Sequence, residues 1–321
     1  MINSVRQTVM SVLNKNNYGY ISPSDFNLFA KQAQLDLFEN YFYSYNYQIL
    51  KENSRQSGTG YADITKGLEE VIDTFSETKF LLHNYQNRFF TPSLVTTSDD
   101  YYLLNKVLVY SKQVTSGTTT AVQVQSLVDS NATFVTDNVN IGDIVANTTS
   151  NKVGFVSAIP GQTELTLIDI DGNADNVGFL SNGEKYIIYS TTPIKEAEKV
   201  SNSKITMLNN SVITKPNLMF PAYSLQEPTI SLFPNTIDKM GAVECQYIRF
   251  PKVPKWTYVD LVNGEPAFNE SAIDYQDFEL PNDDEVNLIN KILQYAGMSV
   301  REAGVVQFAT SLDTASNASE K

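Results

Sequence analysis

The sequence predicts an α+β fold in which a helical hairpin and C-terminal helices with mixed strands are interrupted by an inserted all-β domain, a small barrel or sandwich. Three observations predict it. Both ends of the chain repeat apolar residues at spacings of three and four, as helices with one buried face do. Residues 112–190 instead break into short apolar runs separated by "TSGTTT", "PGQT", "DGNADN" and "SNGE". The segments "NKVLVYSK" before that stretch and "TTPIKEAEKV" after it can resume one fold, which brings the two ends of the insertion together. The expected organisation of the 321 residues is thus 1–111, the N-terminal helical and β part of a core domain; 112–190, the insertion; and 191–321, the rest of the core with terminal helices and a flexible tail.

The elements follow in order. In "ISPSDFNLFAKQAQLDLFENYFYSYNYQIL", Ser22 is placed to cap a helix, Pro23 suits its first position, and Asp25 completes a weak capping box. Phe26, Phe29, Ala33, Leu37, Tyr41 and Tyr45 form its apolar stripe. Its second half, "YFYSYNYQIL", holds enough aromatics for another buried face, against a core or another subunit. "NSRQSGTGYAD" breaks the pattern and "YADITKGLEEVIDTF" restores it, completing the hairpin. "KFLLHNYQNRFF" and "YYLLNKVLVYSK" read as strands. Inside the insertion, "TAVQVQSLV", "ATFVT", "DIVAN", "KVGFVSAI", "ELTLIDI" and "KYIIYS" do the same. "PIKEAEKVSNSKITMLNN" is predicted helical, and "EPTISLFPNTI", "AVECQYIRF" and "PKWTYVDLV" are predicted strands. Asn282 or Asp283 caps a last long helix whose first turn carries Asp284 and Glu285 against the positive end of the helix dipole. Val286, Ile289, Ile292, Leu293 and Ala296 form its apolar face, and Gly297 is its expected C-cap. "SVREAGVVQFATSL" offers a further helix before the polar tail "DTASNASEK".

The chemistry is thin. With 36 acids against 23 basic residues the net charge is −13, which opposes binding of nucleic acid through its phosphates. Between Lys255 and Lys291 lie nine acids (Asp260, Glu265, Glu270, Asp274, Asp277, Glu279, Asp283, Asp284 and Glu285) and no basic residue, as a solvated loop and helix start would have. Cys245 is the only cysteine and reads as a small buried hydrophobe. His83 is the only histidine, so no His pair can hold a metal. Phosphate-cradling glycine motifs and nucleophile elbows are missing from the sequence. "DIDGNAD" spaces Asp169, Asp171, Asn173 and Asp175 like calcium ligands, but Ala174 and Leu180 stand where an EF-hand needs Gly and Glu, so an acidic turn is expected. No catalytic, metal-binding or cofactor-binding residue is assigned. No apolar run approaches the ~18 residues of a membrane span, and assembly in a cytoplasm is expected.

"GYISPSDFNLFAKQAQLDLFENYF" and "FELPNDDEVNLINKILQYAGMSVREAGVVQFA" resemble the ends of virion structural proteins of crAss-like, podovirus-like tailed phages, most of all the ring or adaptor proteins of the head-to-tail connector. "LVDSNATF", "NIGDIVANTT" and "TELTL" resemble small β-modules of phage structural proteins. The resemblance covers about half of the chain in three blocks and carries no catalytic motif. It implies a non-enzymatic homo-oligomeric ring, twelvefold in such connectors, stacked on the portal protein and on other neck or tail rings in the virion. DNA would pass through its channel without specific binding, and tail components would dock on it. A second expectation is another virion tail component, such as a tail-tube, cargo or fibre-docking protein; a carbohydrate-active virion enzyme with an acidic pair is the third. A cyclic ring needs two different faces per subunit. Tyr41, Phe42 and Tyr45 on the long helix, with Val305, Val306 and Phe308 near the C-terminus, are the residues expected at those contacts.

Overall fold

A computed structural model describes residues 1–13, 21–54, 62–121, 123, 125–170, 172–173, 182–262, 266–300, 307, 309–311 and 314. Three helices come first, α1 (Ile2–Leu13), α2 (Pro23–Ser54) and α3 (Ala62–Asp73), then strands β1 (Ser76–Phe80), β2 (His83–Tyr85), β3 (Arg88–Phe90) and β4 (Tyr101–Tyr110). Strands β5 (Gln113–Thr118), β6 (Ser126–Val128), β7 (Ile144–Asn147), β8 (Lys152–Ala158), β9 (Glu164–Ile168) and β10 (Lys185–Tyr189) occupy the expected insertion. Next come β11 (Ile194–Glu196), β12 (Glu198–Lys199), α4 (Asn202–Asn210), β13 (Ala222–Gln226), β14 (Thr229–Phe233) and β15 (Val243–Arg249). A hairpin of β16 (Tyr258–Asp260) and β17 (Pro266–Phe268), a 3-10 turn at Asn282–Asp284 and α5 (Glu285–Val300) complete it. The class is α+β.

Two compact units result, one of Met1–Phe75 with Pro251–Lys321 and one of Ser76–Phe250. These boundaries differ from 111/112 and 190/191. The reason is a strand pair: β1 runs antiparallel to β15 with Ser76 opposite Ile248, so the chain enters and leaves the second unit side by side. Such a distant pairing has no local sequence signal.

In the first unit, α1 buries Ile2, Val5, Val9 and Leu13, one face at helical spacing. The α2 cap forms as expected: the Asp25 N–H donates to Ser22 Oγ at 3.1 Å, and the Ser22 hydroxyl donates to Asp25 Oδ2 at 2.7 Å. The helix buries Phe26, Ala30, Ala33, Leu37, Phe38 and Tyr41. Phe29 is only half-buried and lies parallel to Tyr295 of α5, ring centroids 6.4 Å apart. Phe38 meets both Phe42 and Phe75 edge-on at 5.1 Å, which closes the α2–α3 hairpin. Helix α5 buries Leu288, Ile292, Leu293 and Ala296 but exposes Val286. It runs on through Gly297 to Val300, so Gly297 is a small residue inside the helix and not its cap. Of the further helix expected after it, Ser299 and Val300 belong to α5 and, of the rest, only Gln307 and 309–311 are described, and they are helical; the polar tail lies largely outside the described residues.

The second unit holds three sheets. One has the order β1-β15-β4-β11 and another β12-β13-β14-β3-β2, with only β12–β13 parallel. Their inward residues, among them Phe89, Val107, Tyr223, Leu232, Val243 and Tyr247, form one cluster. The predicted helix over "PIKEAEKVSNSKITMLNN" is α4 alone; Ile194–Lys199 are strands. Main-chain bonding to β4 and β13 at the sheet edges outweighs the helix preference of Lys, Glu and Ala there.

The third sheet, β5-β10-β7-β8-β9-β6, is antiparallel throughout. Its edges approach each other, because the Thr120 N–H donates to the Val128 carbonyl at 2.9 Å and Ala121 bridges Val128. The sheet thus curls into a partly closed barrel around Leu127, Val145, Val156, Leu165, Tyr186 and Ile188. "ATFVT" is not a strand. It is a turn that drops Phe134 into the barrel core, its N–H donating to the Gln162 carbonyl at 2.9 Å. The barrel sheet also has a second buried side, where Ile144 and Tyr189 join the cluster of the other two sheets.

Gly241 sits at that junction. Its φ is +78°, and a Cβ there would stand 2.5 Å from the Cβ of Ala146. Gly241→Ala combines left-handed backbone strain with an overpacked contact, for an expected loss of about 2–4 kcal/mol in urea unfolding. Adding Ala146→Gly should return the part that comes from the contact.

Candidate interaction surfaces

The structure distributes the expected contact residues unevenly. Tyr41 is buried in its own unit, where its hydroxyl donates to Asp284 Oδ2, so it is a core residue and not a surface contact. The α2–α5 packing that carries both residues has no local signature. Phe42 is half-buried against Phe38, and Tyr45 is half-buried. Val305, Val306 and Phe308 lie outside the described residues. The exposed edge of α2 consists instead of Tyr43 (67% exposed), Tyr47 (37%) and Leu50 (69%). Their spacing of four and three puts them on one helix face, a second stripe present in the sequence beside the one the core uses.

Sequence reasoning also missed two polar residues on the inner side of α2. Asn27 grips the backbone of Trp256 from both sides: its amide donates to the Trp256 carbonyl at 3.2 Å, and its oxygen accepts the Trp256 N–H at 2.8 Å. Gln34, one heptad on and buried, donates to the Lys252 carbonyl at 2.8 Å and accepts the Glu279 N–H at 3.2 Å. Together they clamp residues 252–279 onto the helix. Trp256 is the centre of this region. The Arg6 guanidinium lies 3.7 Å from its ring centroid, its indole N–H donates to Asn3 Oδ1 at 3.1 Å, and Tyr258 and Phe268 lie nearly parallel to it at 5.6 and 5.9 Å. The nearest signal in the sequence was that Trp256 is the only tryptophan.

Among the described residues several carboxylates are engaged in structural hydrogen bonds. Five accept a hydrogen bond from a tyrosine hydroxyl: Asp284 from Tyr41, Glu227 from Tyr101, Glu244 from Tyr110 (2.5 Å), Asp129 from Tyr186 (2.8 Å) and Asp36 from Tyr295. Buried Glu184 accepts from the Asn147 amide at 2.5 Å. A chain with fewer cations than anions thus satisfies several carboxylates with phenols, which carry no desolvation cost of a second charge. Burial, then the hydrogen bond to Glu244, then that carboxylate's charge push the Tyr110 hydroxyl well above its ordinary range; burial and Asp129 do the same to Tyr186. These phenols stay protonated near neutral pH and hold their carboxylates as donors.

The remaining chemically capable groups have structural surroundings. Cys245 is fully buried in β15, and burial followed by the charge of Glu244 pushes its thiol up to about 12, far from the thiolate a nucleophile needs. His83 Nε2 is 2.7 Å from the Gln86 carbonyl, and its ring meets Phe89 edge-on, so it braces the β2–β3 hairpin. Asp169 accepts the Asn173 N–H at 2.7 Å and donates its own N–H back to the Asn173 carbonyl at 2.9 Å, the expected acidic turn; Asp171 and Asp175 lie outside the described residues. Among the described residues no group of His, Cys, Asp and Glu is arranged to hold a metal, and no helix is long and apolar enough to cross a membrane. No protein-family model matches the chain, and no curated protein matches it.

Proposed function

We propose that the chain is a non-enzymatic virion structural protein, a subunit of an oligomeric ring in a phage head-to-tail connector that extends the portal channel and docks tail components. The observation that carries this reading is the joining of the two terminal blocks. The segments that resemble the ends of connector-ring proteins, one on α2 and one on α5, belong to a single helical unit and pack on each other. That unit leaves the Tyr43–Tyr47–Leu50 edge of α2 exposed, a row of large side chains of the kind that subunit contacts bury. The occupation of the carboxylates by tyrosines supports a structural use of the acidic residues. A net charge of −13 supports passage of DNA without adhesion.

Native mass spectrometry of the purified chain, alone and with portal protein, is expected to show a closed ring, twelvefold by the resemblance. A chain that stays monomeric in both conditions refutes the reading. Locating the protein in dissected particles separates a neck ring from a tail-tube, cargo or fibre-docking component, since only the first stays with the portal.

A further inference from the structure

The loop after α4 presents apolar side chains to solvent in a fixed conformation. Val212 and Ile213 are 97% and 94% exposed, and Met219 and Phe220 are largely exposed as well. This is not slack chain. The Asn217 side-chain oxygen accepts the N–H groups of Met219 and Phe220 at 2.8 and 3.0 Å, Asn217 and Phe220 also bond through their backbones, and Pro216 is buried beneath them. The loop borders a cleft of about 770 Å³ whose walls carry Lys199, Lys204 and Lys215 together with Glu198 and with Glu196, which pairs with Lys106 at 3.6 Å. Residues 199–226 contain those three lysines and no acid, an isolated basic stretch in a chain of net charge −13. An ordered, exposed apolar surface beside an excess of lysine is built to be covered, since less ordering remains to be done when a partner arrives.

The same chain carries the complement. The β16–β17 hairpin and the turn after it lie in the acid-rich stretch, with Asp260 and Glu270 exposed, and Val262 and Ile273 there are fully exposed. We propose that the 211–221 loop and its lysines dock on this acidic hairpin region of a second copy of the chain. A surface and its complement at different places on one chain make a heterologous contact, the kind that propagates into a ring. Opposite charge sets the register and the apolar side chains supply the buried area. The inference deepens the ring reading and rests on the chain being an oligomer subunit.

A charge exchange tests it on the full-length chain by sedimentation velocity over a concentration series. The set Lys199→Glu, Lys204→Glu, Lys215→Glu and the set Asp260→Lys, Glu270→Lys should each weaken self-association by about 100-fold or more, because each places like charges across the contact. Both sets in one chain restore opposite charges and should return the affinity to within about tenfold of the original. That recovery also rules out misfolding as the cause of either loss. Unchanged association in either set, or no recovery when both are combined, overturns the contact while leaving a ring formed through other surfaces. An unaltered chain that stays monomeric throughout overturns both the contact and the ring.

Discussion

Raising the pH above about 10 is expected to unfold the Ser76–Phe250 unit steeply, after a shallower loss that begins at about pH 9, where the Cys245 thiol of the unfolded chain ionises while the buried one does not. The cause lies in buried phenols. Tyr110, Tyr186, Tyr189, Tyr223 and Tyr247 are 6%, 2%, 4%, 3% and 0% exposed. Burial raises all five hydroxyls above the ordinary 10.0, and the carboxylates Glu244, Asp129 and Asp238 add to the shift of Tyr110, Tyr186 and Tyr189 respectively. A group whose folded value is raised keeps its full contribution below its unfolded value. Above that value the unfolded chain releases the proton while the folded chain holds it, and stability falls until the folded value is reached. Each such group costs about 1.4 kcal/mol per pH unit in that window, so five make stability fall by about 7 kcal/mol per unit. Against a typical domain stability of about 5–15 kcal/mol, unfolding should come between about pH 10.5 and pH 12. Tyrosinate absorbance and circular dichroism should change together there. Phenol ionisation that starts at about pH 10 with the secondary structure intact would contradict the picture. Tyr110→Phe should flatten the pH dependence by about one fifth while weakening the unit at neutral pH, because Glu244 loses its donor.

Trp256→Ala is expected to destabilise the helical unit by about 3–5 kcal/mol, lowering its melting temperature by about 10 °C. The indole is 2% exposed, and its removal leaves a void between Tyr258, Phe268 and the Arg6 guanidinium. Trp256→Phe keeps a ring against Tyr258 and Phe268 but drops the bond to Asn3, so a smaller loss of about 1–2 kcal/mol is expected. Calorimetry checks both. A loss below about 1 kcal/mol for the alanine variant would show that residues 252–279 are held by Asn27 and Gln34 without help from the ring. In the unaltered chain the single tryptophan makes fluorescence a reporter of this unit, so its transition can be followed apart from that of the β unit.

Much of the local structure was legible in the residues. Ser22, Pro23 and Asp25 announced the start of α2, and Asp169 to Asn173 announced a turn, because capping and turn formation depend on side chains a few positions away. The turn-punctuated runs of 112–190 announced a curled antiparallel sheet for the same reason. "ATFVT" misled because a β-branched and aromatic run looks the same whether it pairs with a neighbour or inserts one phenylalanine into a barrel. "PIKEAEKV" misled in the opposite direction, since its helix-forming residues sit where two sheet edges offer main-chain partners. Tyr41 was expected at a subunit contact because its stripe says which residues share a face but not whether a core or another subunit covers it.

The sequence by itself determined the α+β class, the cap of α2, the helical faces, the "PGQT" turn of the barrel and the single histidine and cysteine. All of these follow from residue types and short spacings, whereas "TSGTTT", read as a turn, is mostly strand β5. Tertiary structure alone decided that the units divide at Phe75 and Phe250, that Asn27 and Gln34 clamp the Trp256 segment, and that five tyrosines meet five carboxylates. It also decided which aromatic residues of α2 stay exposed. Each of these joins residues far apart along the chain, and the energy that selects them comes from burial and hydrogen bonding that exist only once distant segments have met.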